Sequence, residues 1–261
     1  PARAQSRQQG SPAGAAVTVG TVSDTQTPAG NLNVNPVAGG SATGITVGNL
    51  ANSNGTVTAT LAAGCAATSG TVRFEVSDGD LAGSGDLQVN VSANGAPLLG
   101  YANQAVAGGG AAIINPLAGP GDNGAVISIA VHDAGTYSGA VSVNAAGVVS
   151  IANAQPVGVH TLTIRATDNC GAITDATFQL TVENTAPTFT PAAAKLRQQG
   201  SPAGAAVTVG TVSDAQTPAG ALSVTPVAGG SATGITVGSL SNSNGTITAT
   251  LAAGCAATPG T

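Results

Sequence analysis

The chain has 261 residues and a net charge of −5, yet only 7% of its side chains are charged and Lys195 is its one lysine. That composition excludes the basic patch that nucleic acid requires and the polybasic segment of a membrane anchor, and no apolar run reaches the ~18 residues of a membrane helix. A surface carried by Thr, Ser, Asn, Gln and Gly has little charge to hold copies apart, so the composition favours self-association.

Period-two alternation rich in β-branched residues starts at AVTVGTV (16–22) and recurs at LNVNPV (32–37), TVTATL (56–61), TVRFEV (71–76) and DLQVNV (86–91). It continues at AVISIAV (125–131), AVSVN (140–144), VVSIA (148–152), HTLTIRA (160–166) and TFQLTV (177–182), the signature of half-buried strands. Convincing helical spacing appears nowhere. Asn54-Gly55, and again Asn244-Gly245, sits between two such runs, where both residues tolerate the positive φ of a type I′ hairpin. With no Trp or Met and only Phe74, Tyr101, Tyr137, Phe178 and Phe189 as aromatics, the cores must be made of Val, Ile, Leu and Ala. Small domains with such light cores are marginal without further support.

Residues 7–71 return at 197–261, an offset of 190, with eight of 65 positions changed. The changes are mild ones, such as Thr25 to Ala215, Asn35 to Thr225 and Val57 to Ile247. A period of 190 residues is too long for one solenoid coil but suits two domains of about 95 residues. Residues 71–97 also align with 161–187, each a strand, a turn, a strand and a short polar linker ending in Ala-Pro. The expected organisation is domain A over 1–95, domain B over 96–190, and a second A over 191–261 that ends before its last two strands. Such a chain reads as a window on a longer repetitive protein. About seven short strands per domain, with turn signals roughly every 8 to 12 residues, predict an all-β fold of tandem immunoglobulin-like antiparallel β-sandwich domains arranged end to end.

Residues 145–187, AAGVVSIANAQPVGVHTLTIRATDNCGAITDATFQLTVENTAP, resemble the cadherin-like and immunoglobulin-like repeats of large bacterial surface proteins. The shared pattern is a Gly followed by alternating apolar residues, then Ala-x-Asp-x-x-Gly across the penultimate strand and its hairpin. The resemblance covers domain B well and domain A more loosely. It implies an extracellular or cell-surface, secreted location, a sandwich fold, and roles in stalks, filaments or adhesion.

In an immunoglobulin-like topology the loop before the penultimate strand and the hairpin after it lie at opposite poles. Cys65, in LAAGCAATSG, is expected in that loop in domain A, and Cys170, in ATDNCGAIT, in that hairpin in domain B, so the two face each other across the linker SANGAP. A Cys65–Cys170 disulfide is therefore predicted across the A-to-B junction, with Cys255, the copy of Cys65, pairing to a following repeat. Three buried free thiols, or a bond between chains, are the alternatives. The linkers carry a single carboxylate, Glu183, against the six to eight oxygens of a calcium site, so Asp78, Asp80, Asp168 and Asp175 read as solvated turn residues and no metal is expected. His132 and His160 read as solvated or hydrogen-bonded surface histidines. No nucleophile elbow, P-loop, zinc spacing or dinucleotide fingerprint occurs, so neither catalytic residues nor a cofactor are expected. The expected role is a structural module of a filament, fibre or stalk that self-associates. The competing role is an adhesin for carbohydrate, cells or a surface, to which the threonine pairs of TVTATL and TLTI would contribute flat rows.

Overall fold

The structure is a computed structural model and describes residues 3–261. Residues 5–92 supply seven strands: β1 (Gln5–Gln8), β2 (Val17–Thr21), β3 (Asn33–Val37), β4 (Thr43–Ser53), β5 (Thr56–Thr68), β6 (Gly70–Ser77) and β7 (Ala82–Ser92). They make two facing sheets, ordered β1-β7-β6-β3 and β2-β5-β4. Alternation decides which side chains meet between them: Val57, Ala59 and Leu61 from β5 face Phe74 of β6 and Leu87 and Val89 of β7. Fully burying each of the larger ones contributes about 1.5–3 kcal/mol. The β4–β5 hairpin turns on Asn54 and Gly55, both at positive φ (48° and 89°), as the type I′ geometry demands. β1 runs parallel to β7 and covers an edge that would otherwise be open.

Residues 98–183 supply β8 (Leu98–Gly100), β9 (Gln104–Ala107), β10 (Ala112–Ile114), β11 (Ala118–Gly121), β12 (Val126–Asp133), β13 (Ala140–Val143), β14 (Val149–Ala152), β15 (Gly158–Asp168) and β16 (Ile173–Glu183). Their sheets are ordered β10-β14-β13, β11-β8 and β12-β15-β16-β9. A separate core forms from Leu99, Ile114, Val149, Ile151, Leu162, Ile164, Phe178 and Leu180, sharing no residue with the first. The fold is thus all-β, as the alternation predicts, with sandwich layers on both sides of the linker.

The third set of strands is β17 (Thr188–Pro191), β18 (Val207–Ser213), β19 (Thr233–Ser243) and β20 (Thr246–Thr258), in a single sheet ordered β17-β18-β20-β19. Among the described residues no second sheet faces it. Residues 223–227, the copy of β3, form no strand here; β3 itself is held by pairing with β6. An apolar cleft of about 540 Å³ opens instead, lined by Phe189, Val212, Val224, Leu240, Ile247 and Leu251. β17 also corrects the expected division at 190/191: its backbone pairs from Thr188 to Pro191 with β18, so this strand belongs to the third sheet.

Leu162 has no solvent exposure at the centre of the middle core. Leu162→Ala is expected to lower stability by about 2–5 kcal/mol, read as a shift in the denaturant midpoint of the transition that carries the Tyr101 and Tyr137 fluorescence signal.

Candidate functional site: the bridged junction

Cys65 reaches the junction through an irregularity of its own strand. β4 and β5 pair at Ile45↔Ala63 and again at Thr43↔Thr68, so residues 64–67 bulge outward opposite the single residue Gly44. Gly44 lies at φ 65°, and a Cβ there would stand 3.0 Å from Ala67 Cα, so the bulge needs glycine at that point. Cys65 is therefore exposed within a strand, and the expected loop before the penultimate strand is corrected to this bulge. The third sheet repeats the device, with Gly234 at φ 69° against Ala257 and Cys255 exposed as a free thiol.

Cys170 is presented by the β15–β16 hairpin, whose shape is set by Asp168. One oxygen of this carboxylate, Oδ1, accepts the backbone N–H groups of Cys170 and Ala172, both at 2.8 Å. The other, Oδ2, accepts the Asn94 side-chain amide at 2.6 Å. Asp168 is fully buried, which corrects its reading as a solvated turn residue. The hydrogen bond from Asn94 holds its pKa below the ordinary carboxylate value; burial opposes this, and the N–H groups of Ala172, Cys170 and Gly171 add to it.

Around the carboxylate the linker and both flanking loops are tied by amides. Asn94 N donates to Gln9 Oε1 (3.1 Å), Asn123 Nδ2 to Gln9 O (2.8 Å) and Asn169 Nδ2 to Gly10 O (2.9 Å). Gly10 is buried against the Cys170 sulfur, where a Cβ could not fit. Cys65 and Cys170 are joined in a disulfide with their Cα atoms 5.3 Å apart, closing a sequence separation of 105 residues.

The next junction along the chain is of another kind. Gln216 accepts at Oε1 from Thr185 N (3.0 Å) and Thr185 Oγ1 (2.7 Å), and donates from Nε2 to Gly108 O (2.8 Å). No cysteine takes part. Sequence reasoning missed both Asn94 and Gln216; the one signal for the latter is that the Asp-x-Gln-Thr-Pro run of residues 24–28 returns unchanged at 214–218 apart from its second position.

Other singled-out residues lie apart from this cluster. Asp78 stays in a hairpin, accepting the N–H groups of Asp80 and Leu81, and Asp175 is paired with Arg165 at 2.7 Å. Among the described residues no group of three or more His, Cys, Asp and Glu side chains could together hold a metal ion. His132 is exposed. His160 is buried, which corrects its reading as a surface residue: Nδ1 meets Thr136 Oγ1 and Nε2 meets Pro156 O, each at 2.8 Å. It therefore fastens the loop before β13 to the start of β15.

No family model and no curated protein matches the chain. Among solved structures, the titin domains Z1Z2 in complex with telethonin are 16% identical over 69% of this chain and 92% of that one, with a TM-score of 0.36. The protocadherin GammaB4 extracellular domain is 17% identical over 96% of this chain and 44% of that one (TM-score 0.32). The fibronectin(III)-like modules of Clostridium thermocellum CbhA are 15% identical over 70% and 91% (TM-score 0.27).

Two groups of outcomes are expected at this site, the first from the bridge. Thiol titration of the unfolded chain should find one reactive group, Cys255, before reduction and three after it. Cys65→Ser with Cys170→Ser should lower stability by less than the about 4.7 kcal/mol of model loop closure at this length, because each core closes without the bridge. The second concerns pH. A carboxylate whose folded pKa is depressed stabilises fully above its unfolded value of about 3.9, and the contribution is lost as pH falls through the lower folded value. Hydrogen exchange at the Cys170 and Ala172 amides should accordingly accelerate in acid. In Asp168→Asn those amides should already exchange fast at neutral pH.

Proposed function

We propose that the chain is a structural repeat module of a long extracellular or cell-surface protein, alternating A-type and B-type sandwiches into a filament, fibre or stalk. The observation that carries this reading is the junction itself. Disulfide, buried carboxylate and amide ties converge on the five residues between β7 and β8, and a spacer requires such fixed joints where a hinged binder does not. In this reading A covers the residues up to the linker at 93–97, B extends to the linker at 184–187, and a second A starts at β17. Cys255, exposed on a bulge built like that of Cys65, is reserved for the hairpin cysteine of a following B unit.

A structural disulfide supports folding in an oxidising compartment, and hence the extracellular location. Near-identity of the two A copies supports a mechanical role, since a spacer asks the same of every repeat and stability then sums over units and their neighbour contacts. Of the two threonine rows of the adhesin reading, TVTATL is not a flat exposed one, since Thr60 is buried at 8% exposure and Thr58 is half-buried, whereas in TLTI Thr161 is exposed and Thr163 half-buried.

Small-angle scattering on polypeptides of one, two and four 190-residue repeats should give a rod whose maximum dimension grows in proportion to repeat number, with a broader distance distribution after reduction. A compact or freely jointed profile under oxidising conditions would sink the proposal.

A further inference from the structure

Asn-Gly occurs four times in the chain, as Asn54-Gly55, Asn94-Gly95, Asn123-Gly124 and Asn244-Gly245. The pair is prone to self-modification, because glycine has no Cβ to keep its main-chain nitrogen away from the asparagine amide carbon, and asparagine is among the chemically labile residues. In three of the pairs the glycine nitrogen is occupied. Gly55 N donates to Asn52 Oδ1 (2.9 Å), Gly245 N to Asn242 Oδ1 (2.8 Å) and Gly124 N to Asp122 Oδ2 (2.9 Å). Asn54 and Asn244 are also fixed in tight hairpins at φ 48° and 49°.

Asn94-Gly95, in the bridged linker, differs. Among the described residues nothing accepts the Gly95 N–H, and Gly95 is only half-buried, so solvent base can reach it. The Asn94 amide group is held by one hydrogen bond, Nδ2 to Asp168 Oδ2 at 2.6 Å, while its Oδ1 is buried with no partner. Asp168 in turn shapes the hairpin that carries Cys170, and Cys170 is tied to Cys65. The closed joint is therefore what keeps the amide carbon from swinging onto Gly95 N; nothing local to the pair does so.

We propose that Asn94-Gly95 is a self-modifying site gated by the Cys65–Cys170 bridge: once the bridge is cut and the hairpin moves off, Asn94 deamidates and the joint no longer closes. Gly95 N gives its proton to a solvent base and bonds to Asn94 Cγ. The Cγ–Nδ2 bond breaks, Nδ2 leaves as ammonia with a proton returned from water, and a five-membered imide remains. Water then opens the ring at either carbonyl, giving an aspartate or, with the main chain rerouted through the side chain, an isoaspartate. In sum one water is consumed and one ammonia released, with nothing oxidised or reduced. Either product sets a second carboxylate against Asp168, where the like charges repel, and the isoaspartate also lengthens the linker by one main-chain atom. The disulfide can form again but the amide cannot, so a passing reduction of the joint is recorded as a lasting loss of stiffness. The gate belongs to the joint itself and does not depend on the spacer reading.

The full chain, with and without Cys65→Ser and Cys170→Ser, is held in warm, mildly alkaline buffer and digested, and acid and isoacid are counted at each Asn-Gly pair by mass spectrometry. Opening the bridge should speed conversion of Asn94 on the order of tenfold, through more frequent local opening of the joint, and leave Asn54 and Asn244 unchanged because their hairpins stay closed. Asp168→Ala in the bridged chain should free the amide in the same way. Gly95→Ala, whose Cβ would stand 3.3 Å from the end of the Gln8 side chain, should suppress the conversion in both. Asn94→Asp in the bridged chain should speed exchange of the Cys170 and Ala172 amides on the order of 10–100-fold at neutral pH, the loss of a hydrogen bond to a charged group. Equal conversion of Asn94 with the bridge open and closed, a matching rise at all four pairs, or undiminished conversion in Gly95→Ala overturns the gate. Unchanged exchange in Asn94→Asp overturns the lasting effect on the joint.

Discussion

Asp168 is an ionised group with its water removed, and every donor that replaces that water also positions part of the junction. Burying a carboxylate with no cation beside it is costly unless hydrogen bonds are supplied in full. Two come from the hairpin's own backbone and one from the linker amide of Asn94. The first pair curls the β15–β16 turn so that Cys170 points toward the preceding sheets. The third fixes the linker at Asn94, its second residue. The disulfide then closes between two groups already held in place, and stands at the end of this chain of constraints.

The corresponding carboxylate in the first set, Asp78, also accepts two backbone N–H groups of its turn, those two and three residues on where Asp168 takes those two and four residues on, but it stays partly exposed, with no linker amide opposite it. The hairpin shape is thus a local property of an aspartate leading into a turn, and the burial is a property of the junction. At the second junction Gln216 satisfies Thr185 and Gly108 through one neutral side chain, and the turn that presents it is held by Asp214, whose Oδ1 accepts the N–H groups of Gln216 and Thr217.

The repeated residues show how much of a strand belongs to its own sequence. Val17–Thr21, Thr43–Ser53 and Thr56–Thr68 reappear as strands in the second copy, because they pair with one another within the copied segment. Asn33–Val37 does not, because its partner is β6; β1 does not, because its partner is β7. With 57 of 65 positions shared, the difference lies in pairing and not in propensity. β-structure is decided by pairing and burial of the opposite face more than by intrinsic preference.

Alternation, the Asn-Gly turns and the repeat were sufficient by themselves to determine an all-β chain with strands where most are found, because period-two burial is written residue by residue. The sequence also placed Cys65 and Cys170 at facing poles once a sandwich topology was assumed. Only the tertiary structure decided that Cys65 rides on a bulge opposite Gly44, that His160 and Asp168 are buried, and that β17 belongs to the third sheet. Each of these depends on which residues distant in the chain come to lie alongside, such as Ala67 against Gly44 or Asn94 against Asp168, and a linear pattern carries no record of such neighbours.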